Sequence, residues 1–167
     1  TAYHEAGHAL IGWLLPEADQ IHKVTIIPRG RALGLTWQLP DDKLHTTEAQ
    51  FLARIRVYFG GREAENMVFS AATAGAYDDI RQATKLAQTL VCDLGMSEKL
   101  GLRNYGKKQE EIFIGREISQ HRDFSEQTAI LIDEEINRIL EEARTEAIKI
   151  LQENRQLLDN LAKSLLN

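Results

Sequence analysis

Thr1-Ala2-Tyr3-His4-Glu5-Ala6-Gly7-His8-Ala9-Leu10-Ile11-Gly12-Trp13-Leu14-Leu15-Pro16 opens the chain and decides how the rest of it is read. The segment reads as a helix over residues 1–15, with Leu10, Trp13 and Leu14 on one apolar side and Pro16 closing it. His4 and His8 stand four apart, so on a helix both imidazoles face one way and can reach one cation. Zinc takes neutral imidazole nitrogen, prefers four ligands and keeps one position open where it is catalytic. Glu5 lies at the margin of that face, where it misses the metal yet reaches a zinc-bound water. There it would take the water's proton as the oxygen attacks a peptide carbonyl, then pass it to the leaving amine. The plain alternative is a coincidence of surface residues, but the motif sits on a segment that already reads as an amphipathic helix. Gly7 costs such a helix about 1 kcal/mol relative to Ala, which points to a neighbour approaching the backbone closely.

A third protein ligand must come from elsewhere. The extended HExxHxxGxxH pattern would need Gly at position 11 and His at position 14, where this chain has Ile11 and Leu14. Two carboxylate regions remain: Glu63 and Glu65 after Gly60-Gly61, and Asp78 and Asp79 after Gly75-Ala76. An Asp that opens a helix also serves as a cap or dipole partner. Spacing alone does not choose between the regions.

Working outward, two strand-like runs, His22 to Ile27 and Ala32 to Leu39, flank the turn Pro28-Arg29-Gly30, and Pro40 ends the unit. Thr47 and Gln50 form a capping box for a helix with Phe51, Ile55 and Tyr58 inward. Gly60-Gly61 is expected to interrupt it, leaving a short second helix from Arg62 to Val68. Ser70 to Tyr77 reads as a loop. A helix from Asp78 to Leu94 comes next, with Ile80, Ala83, Leu86, Leu90, Val91 and Leu94 as its apolar face and Gly95 at the C-terminal cap. Gly101 to Gly115 reads as irregular. Asp123 and Glu126 are candidate caps for a long helix whose seam runs Ile132, Ile136, Ile139, Ala143, Ala147 and Ile150. A last helix covers Arg155 to Leu166. The fold class is mainly α, with one small β-sheet or hairpin and a C-terminal helical bundle.

The 167 residues are enough for one domain with a real core, and 43% hydrophobic with 27% charged residues is ordinary for a globular protein. A net charge of -5 argues against a nucleic-acid footprint, which needs clustered Lys and Arg. No apolar run approaches the roughly 18–20 residues of a membrane span, and the first residues lack the character of a signal peptide. Cys92 is the one cysteine; it excludes an internal disulfide, reads as a small core residue and agrees with an intracellular setting. His22, His45 and His121 have no partner at ligand spacing and read as ordinary surface or turn residues. No GxxxxGK[ST] loop occurs, so these residues do not bind ATP by that route.

Several segments resemble the protease domain of the FtsH family, membrane-anchored ATP-dependent zinc metalloproteases of bacteria, mitochondria and chloroplasts. They are TAYHEAGHAL (1–10), RALGLT (31–36), FGGREAE (59–65), TAGAYDDIRQAT (73–84) and LGMSEKLG (94–101), in the family's order. The resemblance implies a helical zinc-metalloprotease domain in which His4 and His8 bind one zinc, Glu5 is the base and Asp79 is the third ligand. Glu65 is the alternative for that third place. Asp78 stands where the family usually has Asn, and Ser70 where it commonly has Gly, a change expected to matter for loop geometry.

In the resembled family the strand near residues 33–37 lies at the sheet edge beside the zinc, so Gly34, Leu35 and Thr36 would hold a substrate segment by main-chain hydrogen bonds. For Leu35 and Trp37, plain packing is the more modest role. Residues 1–100 would form the zinc-site lobe and 101–167 a helical C-terminal lobe. An ATPase module, the place of ATP and Mg2+, and a membrane anchor are expected before Thr1. Unfolded or membrane proteins would be the substrates of a homo-hexamer, with this domain on the cytoplasmic side, or in the matrix or stroma of an organelle. Two rival readings are a non-catalytic assembly domain, against which the complete ligand set and base argue, and a zinc hydrolase of unrelated fold acting on small amides.

Overall fold

The computed structural model describes residues 1–27, 35–38, 46–71, 73–106 and 123–167, and of residues 35, 37 and 38 the backbone. Helix α1 runs Ala2–Leu14. Every residue from Glu5 to Gly12 is buried, because α1 packs against helices and the sheet together. A helix enclosed in this way has no single apolar face. The one-sided reading is corrected accordingly: Trp13 is 79% exposed and Leu14 is partly so, since the last turn extends past the packing.

Strands β1 (Ile21–Thr25) and β2 (Leu35–Gln38) pair antiparallel, with Thr25 opposite Leu35 and Val24 opposite Thr36. The register shifts between Ile21 and Lys23. The turn at Pro28-Arg29-Gly30 and Gly34 lie outside the described residues, as do His45 and His121. His22 is exposed on β1.

Helix α2 (Glu48–Phe69) starts with the expected capping box, Gln50 N donating to Thr47 Oγ1 and Thr47 N to Gln50 Oε1. It then runs unbroken through Gly60-Gly61, which corrects the expected interruption. The glycines are there for space. A Cβ on Gly60 would lie 2.7 Å from the Gly7 carbonyl oxygen, so α1 and α2 touch backbone to backbone. That contact accounts for Gly7 as well. Ala53, Ile55, Val57 and Phe59 are buried, whereas Phe51 and Tyr58 are only partly so. Ser70 ends the helix in the left-handed region, at φ 52° and ψ 26°.

A 3-10 turn (Ala74–Ala76) leads into α3 (Tyr77–Gln88), which widens into a π-turn over Thr89–Asp93. Ala83, Ala87, Leu90 and Val91 are buried, but Ile80 and Leu94 are 40% and 44% exposed. The expected face fails at both ends: Ile80 precedes the entry of α3 into the core, and the π-turn's extra residue rotates Leu94 outward. Gly95 comes next with φ 63°, as a cap requires. Cys92 is half-buried against the core, and burial pushes its thiol up.

Helix α4 (Glu126–Glu153) is capped by Ser125, whose Oγ accepts from Thr128 N at 3.2 Å, instead of by Asp123 or Glu126. Ser125 has the extended backbone that places its hydroxyl under the first turn. The seam is buried as read through Ala147, after which Leu151 replaces Ile150 as the fully buried residue. Helix α5 (Arg155–Leu166) turns Leu158 and Ala162 inward and is tied to α1 by Tyr3 Oη donating to Asp159 at 2.9 Å. One apolar cluster runs from Ala2 in α1 through Val91 and Ile136 to Ala162. The protein is mainly α. No described helix is long and apolar enough to cross a membrane.

Candidate metal centre

The crossing of α1 on α2 turns His4 and His8 toward the start of α3. Gly61 makes room for them, since a Cβ there would stand 2.6 Å from His8 Nε2 and 2.7 Å from His4 Cε1. The two Nε2 atoms are 3.1 Å apart. Asp79 Oδ2 lies 3.2 Å from His4 Nε2 and 3.4 Å from His8 Nε2. Among the described residues, His4, His8 and Asp79 are the set whose ligand atoms converge in this way. Bonds of about 2.0–2.1 Å to a tetrahedral zinc place its ligand atoms about 3.3 Å apart, so the spacing fits. Two imidazoles and one carboxylate also leave a fourth position open.

Both histidines have an oxygen near the ring nitrogen Nδ1. His8 Nδ1 donates to the Val57 carbonyl at 2.7 Å, which turns Nε2 toward the site. Behind His4, Glu65 Oε1 is 3.3 Å from Nδ1, although the pair is not aligned as a hydrogen bond. Glu65 Oε2 in turn accepts from Thr73 N and Thr73 Oγ1, both at 3.1 Å. The two carboxylates weighed for the third place thus occupy opposite sides of His4, Asp79 at Nε2 and Glu65 at Nδ1. Glu63 faces away and accepts from Arg144 Nε on α4 at 2.8 Å. Asp78 is exposed and bound to Arg81 Nε at 3.1 Å.

Burial raises the Asp79 carboxyl, but hydrogen bonds from His4 and His8 draw it down further, to about 2. Burial likewise lowers His8, and is outweighed by the hydrogen bond and charge of Asp79 and by the Val57 carbonyl, so His8 is raised overall. The same concentration of lone pairs and negative charge suits a divalent cation.

Glu5 is buried beside this group. Its Oε2 accepts from Thr36 Oγ1 at 2.7 Å, and the same hydroxyl is 3.2 Å from the Glu5 carbonyl oxygen. Of the three residues expected to hold substrate, Thr36 is thus found with its hydroxyl on Glu5, Leu35 is described by its backbone, and Gly34 lies outside the described residues. Sequence reasoning missed the Val57 carbonyl, which carries no side-chain signal. It also missed Thr73, which stood within the matching segment 73–84 without an assigned part.

Two imidazoles and a carboxylate around one point, with a second carboxylate alongside, define a candidate metallohydrolase centre on a helical frame. Comparison with known proteins names the family. The family model for peptidase family M41 matches residues 1–167, and the chain belongs to that family. It is 53% identical to the ATP-dependent zinc metalloprotease FtsH of Nitrosococcus oceani over 99% of this chain and 26% of that protein. To the protein of the same name from Rubrobacter xylanophilus it is 50% identical, again over 99% and 26%. To ATP-dependent zinc metalloprotease FtsH 3 of Symbiobacterium thermophilum it is 47% identical, over 99% of this chain and 27% of that one. The chain spans about a quarter of the length of the curated relatives it matches.

Proposed function

We propose that this chain is the proteolytic part of an ATP-dependent zinc endopeptidase. The observation that carries the proposal is the convergence of His4 Nε2, His8 Nε2 and Asp79 Oδ2 at 3.1–3.4 Å beside the buried Glu5. His4, His8 and Asp79 would hold one zinc ion, with Glu65 and the Val57 carbonyl orienting the imidazoles. Zinc, when bound there, supplies Lewis acidity toward a water molecule and the scissile carbonyl. Glu5 takes the attacking water's proton and gives it to the leaving nitrogen as the peptide bond breaks.

The far edge of β2 has no strand partner among the described residues. A substrate segment paired along Gly34, Leu35 and Thr36 would be held by its main chain, whatever its side chains. That suits unfolded or damaged proteins, including membrane proteins. The names of the relatives support an ATPase module with its ATP and Mg2+ elsewhere in the whole protein. We place that module and a membrane anchor before Thr1, the assembly as a homo-hexamer and this part on the cytoplasmic side. Within it, residues 1–100 form the zinc lobe and 101–167 a helical lobe.

The test uses the full-length protein. Metal analysis should find about one zinc per copy of this chain, and none after His4→Ala or His8→Ala. Glu5→Gln should keep zinc and lose cleavage of casein. Zinc retained in both histidine variants would refute the site, and normal cleavage by Glu5→Gln would refute the base.

A further inference from the structure

We infer that Thr36 is a positioning residue for the general base, holding the Glu5 carboxylate through its hydroxyl. The inference rests on the peptidase reading and deepens it. Glu5 is 6% exposed, and a carboxylate so placed needs a hydrogen-bond donor. Among the described residues, Thr36 Oγ1 is the side-chain partner of that carboxylate, at 2.7 Å from Oε2. The bond uses one of the carboxylate's four lone-pair sites and leaves the others to accept a proton. The hydroxyl also lies 3.2 Å from the Glu5 main-chain carbonyl, but its one proton goes to the nearer, charged carboxylate oxygen.

The placement has a second consequence. Thr36 belongs to β2, the strand proposed to receive substrate, and its hydroxyl ties that strand directly to Glu5. A peptide laid along β2 and the base that serves it therefore share one residue as their common reference. A displacement of β2 moves the carboxylate with it. Misplacing a reacting group by about 1 Å costs up to about 100-fold in rate, so loss of the hydroxyl should appear in turnover instead of in substrate affinity.

Thr36→Val removes the hydroxyl and keeps the β-branched shape that a strand favours. In the full-length zinc-loaded protein, Thr36→Val should lower kcat on an unfolded protein by about 10- to 100-fold, with KM and zinc content unchanged. Thr36→Ser should restore most of the loss. Unchanged kcat, a raised KM at constant kcat, loss of zinc, or a Ser variant as poor as Val would each overturn the inference. A readout without turnover runs beside it. Thr36→Val should lower the denaturation midpoint when Glu5 is present and leave it unmoved in a Glu5→Ala background; equal shifts in both would show that the hydroxyl does not serve Glu5. If the wild-type protein binds zinc and does not cleave, the peptidase reading fails, and this coupling still decides the role of Thr36.

Discussion

Gly61→Ala isolates the demand that the candidate metal centre makes on α2. The new methyl would stand 2.6 Å from His8 Nε2, 2.7 Å from His4 Cε1 and 2.8 Å from His4 Nδ1. Ordinary contact begins near 3.4 Å, so the rings or the helix must retreat by about 0.8 Å. Ligand distances in a working zinc site hold to within about 0.2 Å. The required shift is several times that tolerance, and both imidazoles bear it together. Disturbing the groups that orient metal ligands costs about 10- to 100-fold in affinity, and Gly61→Ala should fall in or beyond that range.

The effect on stability is smaller and of mixed sign. Overpacking costs about 1–3 kcal/mol, while exchanging a helical Gly for Ala returns about 1 kcal/mol. The apoprotein should therefore lose no more than about 2 kcal/mol. Competition against a chromophoric chelator measures the affinity, and urea unfolding of the apoprotein measures the stability. Gly60→Ala is the comparator: its methyl meets the Gly7 carbonyl at 2.7 Å, a backbone group that cannot swing aside, so its stability loss should be the larger. Wild-type zinc affinity in Gly61→Ala would refute the reasoning.

Ser70 holds a left-handed conformation at φ 52°, so Ser70→Gly should stabilise the chain by about 1 kcal/mol in urea unfolding. Arg144→Ala strips the buried Glu63 of its partner on α4 and should cost about 2–3 kcal/mol; zinc content should stay unchanged, because Glu63 faces away from the metal centre. The hydrogen bond from Arg138, with that from Ser97, holds the Glu135 carboxyl below its ordinary 4.5 against the opposing effect of burial. Its contribution is complete above that pH and fades as pH falls through the lowered value, so Glu135→Gln should flatten the acid limb of a stability profile below about pH 4.5.

The segments with local signals were legible in the sequence. Thr47 and Gln50 announced the start of α2, Gly95 the end of the π-turn, and the spacing of His4 and His8 their common face. Failures came where tertiary contact overrode a local rule. Gly60-Gly61 signals a break to any propensity scale, yet the pair lies mid-helix because the α1 backbone and two imidazole rings occupy the space side chains would need. Trp13 looked like core because apolar periodicity marks a stripe without saying how far along the helix the packing extends. The choice between Glu65 and Asp79 had no answer in spacing, since both reach His4 and differ in which ring nitrogen they approach. Thr36 looked like part of a strand edge, and only the fold reveals that its hydroxyl meets Glu5.

The unbroken course of α2 is itself a requirement of the centre. Val57, Gly61 and Glu65 recur at intervals of four, and residues so spaced lie one above the other on a helix. That stripe supplies the carbonyl that fixes His8, the space that admits both rings and the carboxylate behind His4. Gly60 and Ala64, each one position back, instead meet Gly7 and bring α1 close enough for the stripe to act. Glu63 falls on another side and is spent on α4. A break at residues 60–61 would put Glu65 out of phase with Val57 and dissolve the arrangement. The helix therefore makes room for both candidate histidine ligands, and its tolerance of two consecutive glycines stems from that task.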